Sequence, residues 1–450
     1  MPKSFRKHSI RLAAMAVLAT SLSACGGGLF GGGKDDKTTP TIGTRVPILS
    51  RIESGAVVDP ALAGIAVVLP PAQTNPAWPQ AGGTASKSYG HLALGGSVSR
   101  AWSAQIAGSD NRRRLAASPV VGDGMLFAVD TAGTVHAFDA QTGSRRWSHR
   151  MELEGRLQNA AFGGGASFDN GRVYATNGVG EVVALDAATG NQVWKVKPAG
   201  PLRGSPTVAF NTVFVMTQDN QIHAMTAATG EPVWSESGSI AQSGVFGVAA
   251  PAAGQGTIVA GYSSGELVAY RYENGRTLWS DALALTSIST QVGSLTDIDA
   301  DPIIDQGRVY ALGQGGRMAA YELVTGQRLW ELNVAGISTP AIAGEWIFVL
   351  TDDSRLLAIA RTTGKIRWIT QLARFRDEKD RKGPIFWTGP VLAGGSLWAA
   401  SSRGDLYQIS TAEGSASLHS NLGASVSLAP VVANNTLYVL DDDGRIHAFR

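Results

Sequence analysis

Three of the seven histidines in this 450-residue chain lie in the same local sequence, where their imidazoles could act as metal ligands. His136, His223 and His447 each follow a β-branched residue and precede alanine. Imidazole nitrogen is the commonest metal ligand among side chains. The shared context, however, indicates copies of one repeat, and equivalent repeat positions lie on different structural units. We therefore expect these histidines to be structural, and we predict neither a metal nor a cofactor.

The single cysteine, Cys25, lies where a bacterial lipoprotein signal peptide would end. Four basic residues come first, an apolar stretch follows from Leu12 to Leu22, and Leu22-Ser23-Ala24-Cys25 then matches a lipobox. A lipobox cysteine receives a diacylglyceryl group and becomes the first residue after cleavage. The sequence therefore predicts residues 1–24 as signal peptide and Cys25 as the lipidation site. One cysteine also excludes an intramolecular disulfide.

The residues after Cys25 predict an outer-membrane location and a flexible tether. Gly26 stands where an aspartate would favour retention in the inner membrane. Glycine, lysine, aspartate, threonine and proline dominate as far as about Thr44, and such a segment cannot bury a core. Prolines interrupt the apolar pieces between residues 45 and 74, to which we assign no structure. We expect residues 25–74 to form the lipidated tether and residues 75–450 the folded periplasmic domain.

The charge balance argues against nucleic acid as a partner. The chain has 38 basic and 36 acidic residues, but four of the basic residues belong to the predicted signal peptide. The exported chain therefore has a slight acidic excess, whereas nucleic acids are bound by basic faces.

One repeated pattern predicts the fold of residues 75–450. A Thr-Gly or Asn-Gly pair precedes a tryptophan, always four residues after the glycine, at Trp147, Trp194, Trp234, Trp279, Trp330 and Trp368. Apolar, β-branched segments before each pair are typical of buried strands, and Asp-x-x-Thr-Gly is typical of a hairpin turn in which glycine adopts positive φ. Spacings of 38–51 residues between tryptophans predict an all-β propeller of four-stranded antiparallel blades.

Counting the copies predicts eight blades in a closed ring. A seventh copy has Gly414 in its turn and Leu418 in place of tryptophan, and an eighth ends at Arg450 without a tryptophan strand. Residues 100–103, which contain Trp102, have the features of that strand. We predict that this N-terminal strand completes the last blade, which leaves no open sheet edge. A ring of seven blades is the alternative.

Other motifs predict no catalytic chemistry. Residues 163–165 are three glycines, but they lack the Lys-Ser/Thr pair of a phosphate loop, and the sequence contains no Gly-x-Ser-x-Gly elbow. Two charged runs, Arg112–Arg114 and Arg374–Lys382, are interpreted as solvated loops. The second is the longest insertion and mixes both signs, so a polar contact surface is its alternative interpretation.

Together, the lipobox, the repeat and the count of eight resemble the BamB family, the propeller lipoproteins of the outer-membrane β-barrel assembly machinery. The resemblance covers the lipobox and the chain from about Asn75 to Arg450. It implies a non-enzymatic scaffold that binds the POTRA domains of the barrel protein BamA. Other members of the assembly complex and nascent outer-membrane proteins are the further partners that it implies.

Two loops carry the more specific part of this resemblance. Residues 201–206, Pro-Leu-Arg-Gly-Ser-Pro, are similar to the Leu-Arg-Gly loop of the family, and residues 294–299, Ser-Leu-Thr-Asp-Ile-Asp, are similar to its Ser-Asp-x-Asp loop. The family loops contact BamA. The partner-binding residues that the resemblance implies are Leu202, Arg203, Asp297 and Asp299. Gly200 replaces an apolar residue of the family loop, so Leu202 would be the main apolar anchor beside the charged groups.

Two other functions stay open. The same repeat occurs in quinoprotein dehydrogenases, which bind pyrroloquinoline quinone and Ca²⁺ inside an eight-bladed propeller and often carry a vicinal disulfide. Cys25 alone cannot supply that disulfide, and we assign no calcium ligands. A lipid-tethered propeller with a different envelope partner is the second alternative, which keeps the fold and changes only the target.

Overall fold

The computed structural model describes residues 56–239, 249–283 and 297–450. Outside these ranges lie residues 25–55 of the predicted tether, which include Cys25, and residues 294–296 of the second loop. Within them the chain forms β-strands and two 3₁₀ helices, Pro60–Leu62 and Gly155–Ala160. In the described ranges we find no helix with the length and apolar character needed to cross a bilayer.

Thirty-two of the strands form eight four-stranded antiparallel sheets, the blades of a propeller. The strand that later closes the ring is β1 (Arg100–Gln105). Blades 1 to 4 consist of β2 (Val120–Gly122), β3 (Met125–Val129), β4 (Thr134–Asp139) and β5 (Arg145–Arg150); β6 (Ala166–Asp169), β7 (Arg172–Thr176), β8 (Val182–Asp186) and β9 (Gln192–Val196); β10 (Leu202–Ala209), β11 (Thr212–Thr217), β12 (Gln221–Thr226) and β13 (Pro232–Ser237); β14 (Ala252–Gly254), β15 (Thr257–Gly261), β16 (Glu266–Arg271) and β17 (Thr277–Ala282).

The second half of the ring repeats this arrangement, with one added hairpin between blades 6 and 7. Its strands are β18 (Ile303–Asp305), β19 (Arg308–Leu312), β20 (Met318–Glu322) and β21 (Arg328–Leu332); β22 (Ala341–Ala343), β23 (Trp346–Leu350), β24 (Arg355–Ala360) and β25 (Ile366–Gln371); the hairpin β26 (Phe375–Asp377) and β27 (Lys382–Pro384); β28 (Trp387–Ala393), β29 (Ser396–Ser401), β30 (Asp405–Ser410) and β31 (Ala416–Asn421); β32 (Val431–Ala433), β33 (Thr436–Leu440) and β34 (Arg445–Phe449).

The N-terminal strand closes the ring, as the sequence predicts. The last sheet has the order β1-β34-β33-β32, so β1 is the fourth strand of blade 8. Beyond the paired strands, the amide of Ser99 donates to the carbonyl of Arg450 at 2.7 Å, and the amide of Arg450 donates back at 2.8 Å. The prediction of eight blades is confirmed, and the alternative of seven is wrong.

Each tryptophan of the repeat joins its own blade to the next one. The indole of Trp147 in blade 1 lies against Gly190 in the turn of blade 2, and its Nε1 donates to the carbonyl of Ala187 at 2.9 Å. The same contact recurs for Trp102, Trp194, Trp234, Trp279, Trp330 and Trp368, each over the turn glycine of the following blade. Glycine is needed there because φ is positive and because a Cβ atom would overlap the ring.

The eighth interface, between blades 7 and 8, has a different packing. Leu418 takes the tryptophan position and is 55% exposed. Inside this interface the ring of His419 lies edge-on to Trp398 at 5.1 Å and to Phe449 at 6.0 Å. Such aromatic contacts contribute about 0.5–1.5 kcal/mol each beyond their burial. Aromatic contacts of His419 therefore stabilise this interface, where the other seven have a tryptophan.

The core lies between neighbouring blades. Second strands such as β11 and β23 are buried at every position, whereas the outer strand β13 is mostly exposed. Among the residues that the structure describes, seven apolar clusters occupy the spaces between blades. Full burial of one aliphatic or aromatic side chain contributes about 1.5–3 kcal/mol. Packing of apolar side chains between the blades is therefore the main hydrophobic stabilisation of the fold.

The three histidines lie on separate blades, as repeat equivalence predicts: His136 on β4 of blade 1, His223 on β12 of blade 3, and His447 on β34 of blade 8. The Nε2 atoms of His136 and His447 lie 2.8 Å from the carboxylates of Asp130 and Asp441, respectively, in buried pairs. Each aspartate also accepts backbone amide hydrogens of its own turn. These pairs therefore fix hairpin turns within single blades.

The blades define two faces of the ring. The turn face carries the Thr-Gly turns and the hairpins between first and second strands of each blade. The connector face carries the segments that lead from the outer strand of one blade to the first strand of the next. First strands of neighbouring blades contact each other and line the central channel.

Residues 68–94, which we term the channel cap, lie on the turn face. They reach the end of the first strand in every blade. The contacts include Val68 and Pro70 beside Gly344 in blade 6, and Asn75, Trp78, Pro79, Gln80, Ala85, Ser86 and Leu92 with blades 8, 1, 2, 3, 4, 5 and 7, respectively. The cap therefore covers one mouth of the channel.

Chain before residue 75, which the sequence assigned to the tether, also contacts the propeller. Ala56 is buried, the amide of Asp59 donates to the carbonyl of Ile366 at 2.9 Å, and the Asp59 carboxylate pairs with Lys365 at 2.8 Å. The packed part of the chain thus begins upstream of the expected boundary.

Candidate partner-binding face

The two sequence-predicted loops meet on the connector face. Leu202 and Arg203 begin β10, the first strand of blade 3. Asp297 and Asp299 precede β18, in the segment between blades 4 and 5. The Nη2 atom of Arg203 lies 3.2 Å from Oδ1 of Asp299 and 3.9 Å from Oδ1 of Asp297. Arg203 therefore links the start of blade 3 to the segment that connects blade 4 to blade 5.

Local structure in β10 directs Arg203 to this position. The strand register shifts between Arg203 and Thr207, and Gly204 has a φ of 53°. The hydroxyl of Thr176 in blade 2 donates to the carbonyl of Gly204 at 2.8 Å. A bulge of this kind redirects side chains near the end of a strand, and a neighbouring blade holds it in place.

The acidic partners are fixed by their backbone. The carbonyl of Asp297 accepts the amide hydrogen of Gln314 at 2.8 Å, and the amide of Ile298 donates to the carbonyl of Tyr262 at 3.2 Å. Ile298 is fully buried and lies directly over Gly261, where a Cβ atom would clash with it. The connector is therefore anchored to blade 4 and to blade 5 at the peptide bond between Asp297 and Ile298, which lies between its two carboxylates.

All four predicted residues are buried. Arg203 is 2% exposed, Asp297 1% and Asp299 8%, while Leu202 is inaccessible in the apolar cluster between blades 2 and 3. Leu202, for which the resemblance implied a role as an apolar anchor for the partner, thus packs in the core in this structure. The three charged groups face one another because a buried ion is stabilised only by a partner charge or hydrogen bonds.

Burial changes the titration of this cluster. It raises the pKa of Asp299 to about 6, and the neighbouring charge of Asp297 acts in the same direction, while Arg203 opposes both. A carboxyl group with this pKa begins to take up a proton in mildly acidic solution. Below about pH 6 the charge of Asp299 is therefore reduced, which weakens its attraction to Arg203 but relieves the larger cost of burying a carboxylate.

The channel cap holds a second buried charged group that sequence reasoning missed. Lys87 is 1% exposed, and its ammonium donates to the carbonyl of Ala81 at 3.0 Å and to the hydroxyl of Thr207 at 3.2 Å. Burial lowers the pKa of Lys87 to about 8, against the attraction of Asp301. The sequence of the cap does not match the repeat, and its prolines and glycines are typical of loops. Only its apolar residues could have indicated that it packs against the blades.

The fold and this face define a class of protein: an eight-bladed propeller of tryptophan repeats with one channel mouth covered. A family profile described as outer membrane protein assembly factor BamB matches residues 94–159, 131–370 and 372–450. The chain belongs to this BamB family.

Both members of this family and propeller enzymes are similar to the chain. The outer membrane protein assembly factor BamB of Yersinia pestis is 25% identical over 329 residues, which are 72% of this chain and 81% of that protein. The crystal structure of BamB from Moraxella catarrhalis superposes with a TM-score of 0.67 at 20% identity, covering 79% of this chain and all of that one. Quinohemoprotein alcohol dehydrogenase from Comamonas testosteroni shares the fold, with a TM-score of 0.67 at 16% identity over 84% of this chain and 81% of that one.

Proposed function

We propose that this protein is a lipid-anchored, non-enzymatic scaffold of outer-membrane β-barrel assembly, which binds the POTRA domains of a BamA-type barrel protein through its connector face. The observation that carries the proposal is the junction of Arg203 with Asp297 and Asp299, in a chain of the BamB family. Lipidation at Cys25, an outer-membrane location with the propeller in the periplasm, and contacts with other assembly members and nascent barrel proteins belong to the same proposal.

The buried cluster supports an indirect role for its charged residues. Pro201, directly before Leu202, is exposed, whereas the cluster lies beneath it. The Arg203 link fixes the two loops relative to each other across blade 4, so that a partner meets a preformed surface. Preorganisation of this kind raises affinity because fewer groups must be ordered on binding.

Anchoring supports the same function by raising local concentration. A lipid on Cys25 and a BamA-type barrel in the same membrane would hold both partners together. Binding then becomes effectively intramolecular, and a modest interface is sufficient. The lipid and the interface are thus expected to act together.

A quinoprotein dehydrogenase is the alternative that the fold alone permits, because such enzymes share the propeller. The channel cap favours the scaffold, since it packs against the first strands of all eight blades at one channel mouth. A quinone bound to the purified protein would favour the enzyme over the scaffold.

Affinity purification of the full-length lipidated protein from solubilised envelope tests the proposal. Wild type is expected to recover the BamA-type barrel protein. The pair Arg203→Glu with Asp297→Lys places a carboxylate at position 203 opposite Asp299, the nearer partner of Arg203, so the link between the two loops is lost. This pair is expected to lose that recovery. Val324→Glu, at a 74% exposed position on the turn face, is the matched control.

Both variants must still be folded at the temperature of the purification, as thermal unfolding shows, for the comparison to count. Absence of the barrel protein from the wild-type sample would refute the assembly role. Equal recovery with the charge-inverted pair would keep the role and remove these loops from it.

A further inference from the structure

A charged hairpin and an exposed aromatic ring lie together on the connector face between blades 6 and 7. Strands β26 and β27 form the hairpin, with Phe375 paired to Pro384 and Asp377 to Lys382. Phe386 follows two residues later and is 67% exposed. Exposure of one large apolar side chain is common in itself, so the surroundings of Phe386 decide its meaning.

The backbone holds Phe386 in place. Its amide donates to the hydroxyl of Ser402 at 3.0 Å, and its carbonyl accepts from the amide of Ser402 at 2.8 Å. On one side Ile385 is buried, and on the other the Trp387 indole donates to the carbonyl of Ala373 at 2.8 Å. The ring of Phe386 therefore projects from a fixed base, and little backbone entropy would be lost on binding.

The acidic side chains of the hairpin are used within it. The carboxylate of Glu378 accepts the amide hydrogens of Arg374 and Phe375, at 2.8 and 3.2 Å. Asp377 accepts the amide hydrogen of Asp380 at 3.0 Å, and Asp380 pairs with Lys382 at 3.1 Å. The three acids thus shape the turn and neutralise one lysine.

Basic side chains are left facing solvent. In the described part of the chain, no carboxylate lies within ion-pair distance of Arg376, Lys379 or Arg381, and all three are exposed. Arg376 lies along the hairpin over Gly383 and lines a cavity of about 260 Å³ together with Arg403, the neighbour of Ser402. Arg403 pairs with Asp405 at 3.7 Å, so the unneutralised positive charge beside the fixed phenyl ring comes from Arg376, Lys379 and Arg381.

We propose that Phe386 and this hairpin form a docking surface for a folded protein partner that offers an apolar pocket bordered by carboxylates. Aromatic residues and arginine dominate the energetically important centres of protein interfaces. The excess positive charge selects an acidic rim, and arginine suits bidentate binding of carboxylates. This surface goes beyond the proposed function because it is separate from the Arg203 cluster and does not depend on a barrel protein as partner.

The geometry favours a protein over an anionic membrane surface. Membrane adsorption uses several apolar side chains over a convex basic surface, whereas this site has a single fixed ring beside a cavity. Residues 56–74, which connect the predicted tether to the propeller, also pack on the turn face, whereas the hairpin and Phe386 lie on the opposite, connector face.

Site-specific photocrosslinking in cells that express the full-length protein tests the proposal. A p-benzoylphenylalanine replaces Phe386, and the same group at the exposed, turn-face position 324 serves as the placement control. Arg376→Glu with Arg381→Glu is then added. Arg112→Glu with Arg114→Glu is the matched charge control, because these exposed arginines lie on another loop of the connector face.

The proposal expects a crosslink at position 386 to one protein, through a segment that mass spectrometry shows to be rich in aspartate and glutamate. Reversal at Arg376 and Arg381 should lower its yield about tenfold, since like charges then oppose each other, while the control pair changes it less than about twofold. A crosslink to lipid, a yield that both charge pairs lower equally or neither lowers, or no product beyond that at position 324 would each overturn it. None of these results depends on whether the barrel protein co-purifies.

Discussion

The indole ring of Trp102 lies directly on Gly143, and its Nε1 donates to the carbonyl of Ala140 at 3.2 Å. Trp102 belongs to β1, the N-terminal strand of blade 8, and Gly143 to the turn of blade 1. The contact therefore joins the blade built from both ends of the propeller to the next blade. The same tryptophan–glycine contact that joins neighbouring blades elsewhere is thus also present where the ring closes.

Substitution of Gly143 by alanine should destabilise the protein more than substitution of Gly124 in the same blade. Both glycines have φ near 70°, which costs an alanine about 1–2 kcal/mol. An added Cβ at Gly143 would lie 2.5 Å from the Trp102 ring, whereas nothing lies within 4 Å at Gly124. We expect Gly143→Ala to lose about 1–3 kcal/mol more, as overpacking does. Urea unfolding measures both, and equal losses would contradict the contact.

Breaking the Arg203 cluster should cost far more than breaking an exposed ion pair. Arg203→Met removes the guanidinium that faces the buried carboxylates of Asp297 and Asp299, and we expect it to lower the free energy of unfolding by about 3–5 kcal/mol. Arg271→Met breaks the exposed Arg271–Glu273 pair and should cost at most about 1 kcal/mol.

A double-mutant cycle tests the same link. Asp299→Asn added to Arg203→Met should restore part of the loss, because it removes one of the uncompensated charges. Strictly additive losses would show that Arg203 and Asp299 do not interact.

Asp299 should make stability depend on pH in a defined direction. Its pKa is about 6 in the folded protein and 3.8 in a solvent-exposed aspartate, so the folded state binds the proton more tightly than the unfolded chain. The resulting stabilisation is fully present below about pH 4 and is lost as the pH rises through 6, up to about 3 kcal/mol in all. The difference between wild type and Asp299→Asn, from denaturant unfolding at pH 4.5 and 7.5, should show this change. A difference that stays constant over that range would refute the raised pKa.

The channel cap should depend on Gln80. Its side chain donates to the carbonyl of Val208 at 2.7 Å and accepts from the amide of Val208 at 2.9 Å, and Gln80 is buried. Gln80→Ala leaves both backbone groups without a partner, at a cost of about 2–4 kcal/mol. Hydrogen exchange should accelerate across residues 78–94 and β10, whereas Gln192→Ala, at an exposed position of β9, should leave it unchanged. Unaltered exchange with Gln80→Ala would mean that the cap is held elsewhere.

The propeller could be predicted from the sequence because its determinants are local and repeated. A glycine at positive φ and a tryptophan four residues later specify both the turn and the contact with the next blade, and Trp102 in the same role shows where the ring closes. The cap could not be predicted, because its contacts are made one residue at a time with eight different blades. Nor could the burial of Arg203, since an arginine and two aspartates in separate loops can equally well face a partner or each other.

The most direct test of the scaffold role is photocrosslinking from Pro201, the exposed residue beside the buried cluster. A p-benzoylphenylalanine at position 201 of the lipidated protein, in living cells, is compared with the same group at position 324 on the turn face. We expect a crosslink to the periplasmic POTRA domains of a BamA-type barrel protein from position 201 and none from position 324. A crosslink to that protein from position 324 only, or from neither position, would contradict it.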